Sequence, residues 1–297
     1  MMGKPGVLLL RSMPILQALL EPKYRVFPLW EQSDKEAYLA ENIDLHKCKE
    51  CGIAVTNTLD VGTDYCADMA IGLLLATMCH ICAADHFLCK GLWPKLGRYP
   101  NTHKMSGKCL GIVGLGQIGL AVAKRAEAFG CKISYLARAE KSELPYKFHA
   151  TVLELAKNSD MLVLTCALTK GTTHFVGREV LDALGPEGFF VNIARGLVVN
   201  EQELVKALVE EWIAGAGIEP QVLQELWNME NVVLLPHTAS TTQATVKLAV
   251  ELIISNLDAH FSGKPLLTPC VDDQKGAANW LQICCSRLKS ELLYYNV

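Results

Sequence analysis

Apolar runs of the roughly 20 residues that a membrane-spanning helix needs are missing from the chain. The longest apolar stretches, Met69 to Cys79 and Phe189 to Ala194, stop too soon or run into charge. Neither sign of charge is gathered into a long run: 28 Lys plus Arg stand against 31 Asp plus Glu, a formal net charge of -3. That balance carries no electrostatic footprint for nucleic acid. Repeats and low-complexity tracts are also lacking, and 51% hydrophobic against 20% charged residues argues against disorder or a collagen-like chain. At the N-terminus the apolar run stops after Leu10 and continues into charge without a small-residue cleavage pattern. The last residues, Tyr295-Asn296-Val297, are not a peroxisomal address. A protein of the cytosol is expected, with neither nucleic acid nor membrane among its partners.

A disulfide framework is lacking as well, since the 12 cysteines are scattered through a chain of 297 residues. Cys48-x-x-Cys51 and Cys79-x-x-Cys82 together have the makings of a four-thiolate zinc site. Against that, Cys79 and Cys82 end an apolar helical stretch, and Cys109, Cys131 and Cys166 fall in strands where a thiol packs as a small hydrophobe. Reduced packing cysteines and no metal are the expectation.

What the chain has is length for two moderate domains and a regular alternation of patterns. Gly6 to Leu10, Tyr24 to Pro28 and Gly52 to Asn57 read as strands, with helices at Pro14 to Leu20 and Glu31 to Ala40. From Thr63, a helix with Tyr65, Met69, Leu73 and Met78 near one face is expected to reach the eighties. Trp93 to Met105, rich in Gly, Pro, Asn and Thr, marks a connector. Strands follow at Leu110 to Val113, Lys132 to Leu136, Met161 to Cys166, Phe189 to Ala194, Ile213 to Ile218 and Val232 to Leu235. Between them helices are predicted at Gln117 to Phe129, from the capping box Thr151 to Glu154, at Arg178 to Leu184, and from Asn200 with Glu203 through Leu208. This alternation predicts a mostly parallel sheet covered on both faces. A striped helix runs from near Ser240 through Leu257, and Trp280 to Tyr295 reads as an amphipathic helix.

Gly114-Leu115-Gly116-Gln117-Ile118-Gly119 follows an apolar strand and opens a helix, the context that makes a glycine pattern a dinucleotide fingerprint. Gly114 permits the tight turn, Gly116 lets pyrophosphate approach the backbone, and Gly119 lets helix and sheet pack closely. Free amides at the helix start complete an anion site. The next strand ends in Ala137-Arg138, with Lys141 close by, where an NAD-binding chain carries a carboxylate. An arginine there makes a charge-assisted contact with a 2′-phosphate, so NADP(H) is expected over NAD(H).

Asn192-Ile193-Ala194-Arg195-Gly196 and Leu234-Leu235-Pro236-His237-Thr238-Ala239-Ser240 carry a resemblance. With Gly52 to Asn57, Ser106-Gly107-Lys108 and the glycine turn, in family order, the chain resembles the D-isomer-specific 2-hydroxyacid dehydrogenases, most closely plant hydroxypyruvate, glyoxylate and hydroxyphenylpyruvate reductases. The resemblance implies an α/β architecture: a Rossmann dinucleotide-binding domain over 63–241 and a smaller, truncated flavodoxin-like substrate domain from 1–62 and 242–270, with an atypical tail over 271–297. It implies reduction of a 2-keto acid to a D-2-hydroxy acid. His237 matches the acid/base, Arg195 the residue that polarises the keto group and holds the carboxylate, and Glu219 the carboxylate that orients histidine. These types suit the chemistry: histidine titrates near neutrality, a carboxylate partner fixes its tautomer, and the arginine fork reads a planar carboxylate. The resemblance further implies that Cys166, Thr173, Ala194, Arg195, His237 and Ala239 join Gly114 to Gly119 and Arg138 at the cofactor, and that the chain is a homodimer through Leu92 to Met105.

The chain departs from the family in three places. Gly217-Ile218 runs directly into Glu219-Pro220, without the aspartate that helps place the nicotinamide. Before Ile43, a strand, a helix, another strand and a carboxylate-binding Ser/Asn-x-Gly loop are missing, so two strands are absent from the small domain's sheet, which exposes neighbouring backbone edges unless something else pairs with them. The tail after Val271 is foreign to the family. An NADPH-dependent 2-keto acid reductase is therefore expected, with a catalytically impaired, dimeric NADP-binding protein as the alternative.

Overall fold

The computed structural model describes residues 6–9, 14–28, 50, 54–58, 60–219, 223–236, 242–270 and 280–284. The chain divides into two compact units, Met1–Gly62 with Ser240–Val297, and Thr63–Ala239. The predicted helix at Glu31 to Ala40 lies outside the described residues.

The first unit opens with β1 (Gly6–Leu9), α1 (Pro14–Leu20), β2 (Arg25–Pro28) and β3 (Ala54–Asn57). Val7, Leu16, Leu20, Tyr24 and Ala54 are buried there against Val250, Ile253 and Leu257 of a returning helix, Gln243–Phe261. Each large apolar side chain so buried contributes about 1.5 to 3 kcal/mol. Thr242 caps that helix, its Oγ1 accepting from the Thr245 amide at 3.0 Å.

The tail corrects the expectation at Trp280 to Tyr295. Over its described part, Trp280–Cys284, the segment is a strand instead of an amphipathic helix, and it lies inside the small sheet, parallel to β1 on one side and to β3 on the other; residues 285–295 lie outside the described residues. Tryptophan, isoleucine and cysteine suit a strand as well as one helical face, and two unpaired strand edges give this segment backbone partners that a solitary helix lacks. The other edge of β3 is closed by residues 268–270, with Asn57 N donating to Thr268 O at 3.1 Å and Cys270 N to Val55 O at 2.9 Å.

The second unit starts with α2 (Thr63–Met78), α3 (Ile81–Cys89) and α4 (Trp93–Leu96). The single helix expected into the eighties is broken, because His80 takes a left-handed conformation (φ 51°) and the Met78 carbonyl accepts from His103 N at 3.0 Å. That bond takes the acceptor a continuing helix would use. Among the described residues no single helix is long and apolar enough to cross a membrane.

There follow β4 (Cys109–Val113), α5 (Gln117–Glu127), β5 (Lys132–Leu136), β6 (Lys147–Phe148), α6 (Val152–Lys157), β7 (Met161–Leu164), α7 (Arg178–Leu184), β8 (Phe189–Asn192), α8 (Glu201–Val209), β9 (Gly215–Ile218) and β10 (Val232–Leu234). The caps are as the sequence predicts: Thr151 accepts from Glu154 N at 3.1 Å and Asn200 from Glu203 N at 3.3 Å. The seven strands are all parallel, in the order β10-β9-β8-β7-β4-β5-β6. β7, β8 and β9 are buried along their whole length, as a parallel sheet covered on both faces requires. Chain order reverses beside β4, and such a switch point opens a crevice at the carboxyl ends of the strands.

Candidate active site

The glycine turn stands at that crevice. β4 leads into Gly114, whose φ of +99° is open to glycine at little cost, and Gly114 N donates to Leu136 O at 2.9 Å at the end of β5. A Cβ on Gly119 would strike the Gly114 carbonyl oxygen, so this glycine lets α5 seat against the turn. Thr165 donates to the same oxygen at 2.6 Å. Nothing in the sequence motif singles Thr165 out; its role comes from β7 lying beside β4.

Gly116 differs from both, since a Cβ there would meet nothing within 4 Å. The backbone is thus bare toward open space at the N-terminus of α5, where first-turn amides lack intrahelical acceptors. Leu115 is buried, Ile118 is half-buried and Gln117 is exposed. This cradle fits a dinucleotide pyrophosphate.

Of the remaining predicted positions, Arg138, Cys166, Thr173, Ala194, Arg195 and Glu219 follow strands at the same edge of the sheet. Arg138 is exposed just beyond β5. Cys166 follows β7 and backs onto Gly114, and burial pushes its thiol up, which keeps it neutral. Thr173 is exposed on the loop after β7, its hydroxyl donating to Thr169 O at 2.9 Å. Beyond β8, Asn192 shapes the next turn: its Oδ1 accepts from Ala194 N at 2.9 Å and its Nδ2 donates to Arg195 O at 3.0 Å. Ala194 is buried and Arg195 half-buried, with the guanidinium Nη1 donating to Ala194 O at 2.7 Å. Asn192 opens the Asn192 to Gly196 motif, yet its work as a turn clamp is visible only from these bonds.

Glu219 directly follows β9 and is 1% exposed. Its amide donates to Asn192 O at 3.1 Å, and Leu235 N donates to Ile218 O at 2.9 Å. The ends of β8, β9 and β10 therefore lie side by side, bringing the Arg195 turn, Glu219 and the approach to Pro236 together. His237 and Ala239 lie outside the described residues. Cys48 and Cys51 do also; among the described residues no group of three or more His, Cys, Asp or Glu could hold a metal ion, and eight cysteines are free thiols.

A profile described as "D-isomer specific 2-hydroxyacid dehydrogenase, NAD binding domain" matches residues 71–239. The chain belongs to the D-isomer-specific 2-hydroxyacid dehydrogenase family. Among similar members, hydroxyphenylpyruvate reductase of Plectranthus scutellarioides is 54% identical over 236 residues, covering 78% of this chain and 75% of that protein. Glyoxylate/hydroxypyruvate reductase A HPR2 of Arabidopsis thaliana is 52% identical over the same shares. A solved dehydrogenase of this fold, the NADPH-dependent glyoxylate/hydroxypyruvate reductase of Sinorhizobium meliloti in complex with NADP and malonate, is 31% identical with a TM-score of 0.83, covering 93% of this chain and 98% of that one.

Proposed function

We propose that the chain reduces a small 2-keto acid, of the hydroxypyruvate, glyoxylate or hydroxyphenylpyruvate kind, to the D-2-hydroxy acid with NADPH. The observation that carries this reading is the gathering of the glycine turn, Arg138, the Arg195 turn and Glu219 at one edge of a parallel sheet. The similarity to hydroxyphenylpyruvate and glyoxylate/hydroxypyruvate reductases supports the same reading.

The reduced nicotinamide supplies the hydride that the keto carbon accepts. Arg195 holds the substrate carboxylate and draws electron density toward the keto oxygen. His237, protonated, delivers the proton that this oxygen needs, and Glu219 fixes its ring and steadies its charge. Gly114 to Gly119, with Cys166, Thr173, Ala194 and Ala239, seat the cofactor, and Arg138 meets the 2′-phosphate in preference to NAD(H). The smaller unit is then a truncated flavodoxin-like substrate domain. Trp93 and Leu96 are exposed large apolar side chains within Leu92 to Met105, which suits a two-fold homodimer through that segment. Free thiols suit the reducing cytosol.

One observation favours a second reading, an NADP-binding dimer with depressed turnover. The inner position of the small sheet is held by Trp280–Cys284, a segment without the family's carboxylate-binding loop. NADPH oxidation by the purified chain with hydroxypyruvate, glyoxylate and hydroxyphenylpyruvate decides the matter. Turnover well above a His237→Ala control supports the reductase; cofactor binding without substrate-dependent oxidation supports the second reading.

A further inference from the structure

The bend that carries Arg138 is tied down at two points, neither of which involves the arginine itself. Tyr135, fully buried in β5, places its hydroxyl 2.7 Å from the Lys141 amide, which donates to it, and 3.4 Å from the Lys141 carbonyl, to which it donates. The bend over residues 137–140 is thus closed by a side chain from the strand that precedes it. Lys141 then reaches the other way: its Nζ donates to the Leu115 carbonyl at 2.7 Å. Leu115 is the second residue of the glycine turn, so one lysine joins the strand end that carries Arg138 to the cradle at Gly116.

We infer that Tyr135 and Lys141 are positioning residues that set NADPH preference by holding the Arg138 bend in fixed register with the glycine turn. This rests on the reading of Arg138 as the 2′-phosphate partner. An exposed arginine on a free bend must be ordered when the phosphate arrives, and the cost of that ordering reduces affinity. A bend closed beforehand meets the adenosine 2′-phosphate and the pyrophosphate at a constant spacing. The Lys141 ammonium is spent on a backbone carbonyl, so its effect on the phosphate runs through the spacing as well as through its charge. NADH lacks the 2′-phosphate and gains nothing from the arrangement beyond the glycine turn itself.

The test compares Tyr135→Phe, Lys141→Met, Lys141→Arg and Arg138→Ala in the full chain, with fluorescence titration of NADPH and of NADH. Amide hydrogen exchange over residues 137–141 is followed without cofactor. Tyr135→Phe and Lys141→Met are expected to lower the ratio of NADPH to NADH affinity by about three- to tenfold, the effect of one lost hydrogen bond. Both should speed exchange in the bend, and Lys141→Arg should restore much of the ratio. An unchanged ratio in Tyr135→Phe and Lys141→Met, beside a fall in Arg138→Ala, overturns the positioning role and leaves the Arg138 reading standing. An unchanged ratio in Arg138→Ala overturns both. Should Tyr135→Phe fail to fold, Lys141→Met and Lys141→Arg decide alone, since Lys141 lies outside the core.

Discussion

Gly114 and Cys166 stand so close across the switch point that a Cβ on the glycine would come within 2.7 Å of the Cys166 Cα. Strands β4 and β7 are neighbours in the sheet, and the turn leaving one is folded against the chain leaving the other. Gly116, two residues on, faces open space.

Gly114→Ala and Gly116→Ala should therefore fail in different ways. The first adds a backbone collision to a positive φ, strain of about 1 to 3 kcal/mol or more, and should lower both Tm and NADPH affinity. The second should leave Tm within about 2 °C, since its Cβ meets nothing, while NADPH affinity falls because the methyl group occupies the cradle. Thermal melts beside NADPH titrations check this; equal losses of Tm would refute the contrast.

Arg138→Asp should weaken NADPH binding by about one to two decades, the worth of a charge-assisted bond, and change NADH binding much less. Titration of both cofactors is the measurement. Parallel losses would mean damage to the bend instead of loss of a phosphate partner.

The inner strand β11 (Trp280–Cys284) makes the tail a structural element. Gln282 is register partner to Leu8 on one side and to Val55 on the other, so Gln282→Pro removes an amide from the sheet interior, where proline is not accommodated. A fall in Tm of about 5 °C or more is expected from lost ladder bonds worth about 1 kcal/mol each. Aggregation should rise as the edges of β1 and β3 open. Unaltered melting and light scattering would show that this strand contributes nothing to stability.

Asn256 binds the segment beyond the returning helix three times, accepting from Leu267 N and Thr268 N at 3.0 and 3.2 Å and donating to Thr268 Oγ1 at 3.0 Å. It is 1% exposed. Asn256→Ala leaves two amides without that acceptor and should cost about 2 to 4 kcal/mol, read by urea denaturation. Asn256→Asp, which keeps an acceptor, should cost less.

Tyr24 sets an alkaline limit. Burial first, then its hydrogen bond to Asp258 at 3.1 Å, raises the phenol from the usual 10.0 to about 12. The folded state holds this proton more tightly than the unfolded chain, so the contribution is whole below pH 10 and is lost as pH rises to about 12. Tyr24→Phe should flatten that part of the stability profile; an unchanged slope between those values would show that another group sets it.

Local pattern determined much of this protein. An apolar strand, three spaced glycines and a striped helix place β4, the turn and α5, because turn geometry and helix periodicity act over a few residues. The caps at Thr151 and Asn200 are equally local, and the order of the Arg195, Glu219 and His237 motifs carries the family without reference to space. Only the tertiary structure decided the rest. Trp280 to Cys284 suits a helix or a strand by composition, and the choice falls to open strand edges more than 220 residues earlier in the chain. The break at His80 depends on the His103 amide reaching the Met78 carbonyl. Thr165 and Lys141 gain their parts only where parallel strands bring their ends beside the glycine turn. In each case the deciding partner is distant in sequence, and a hydrogen bond between distant groups leaves no periodic trace in the chain.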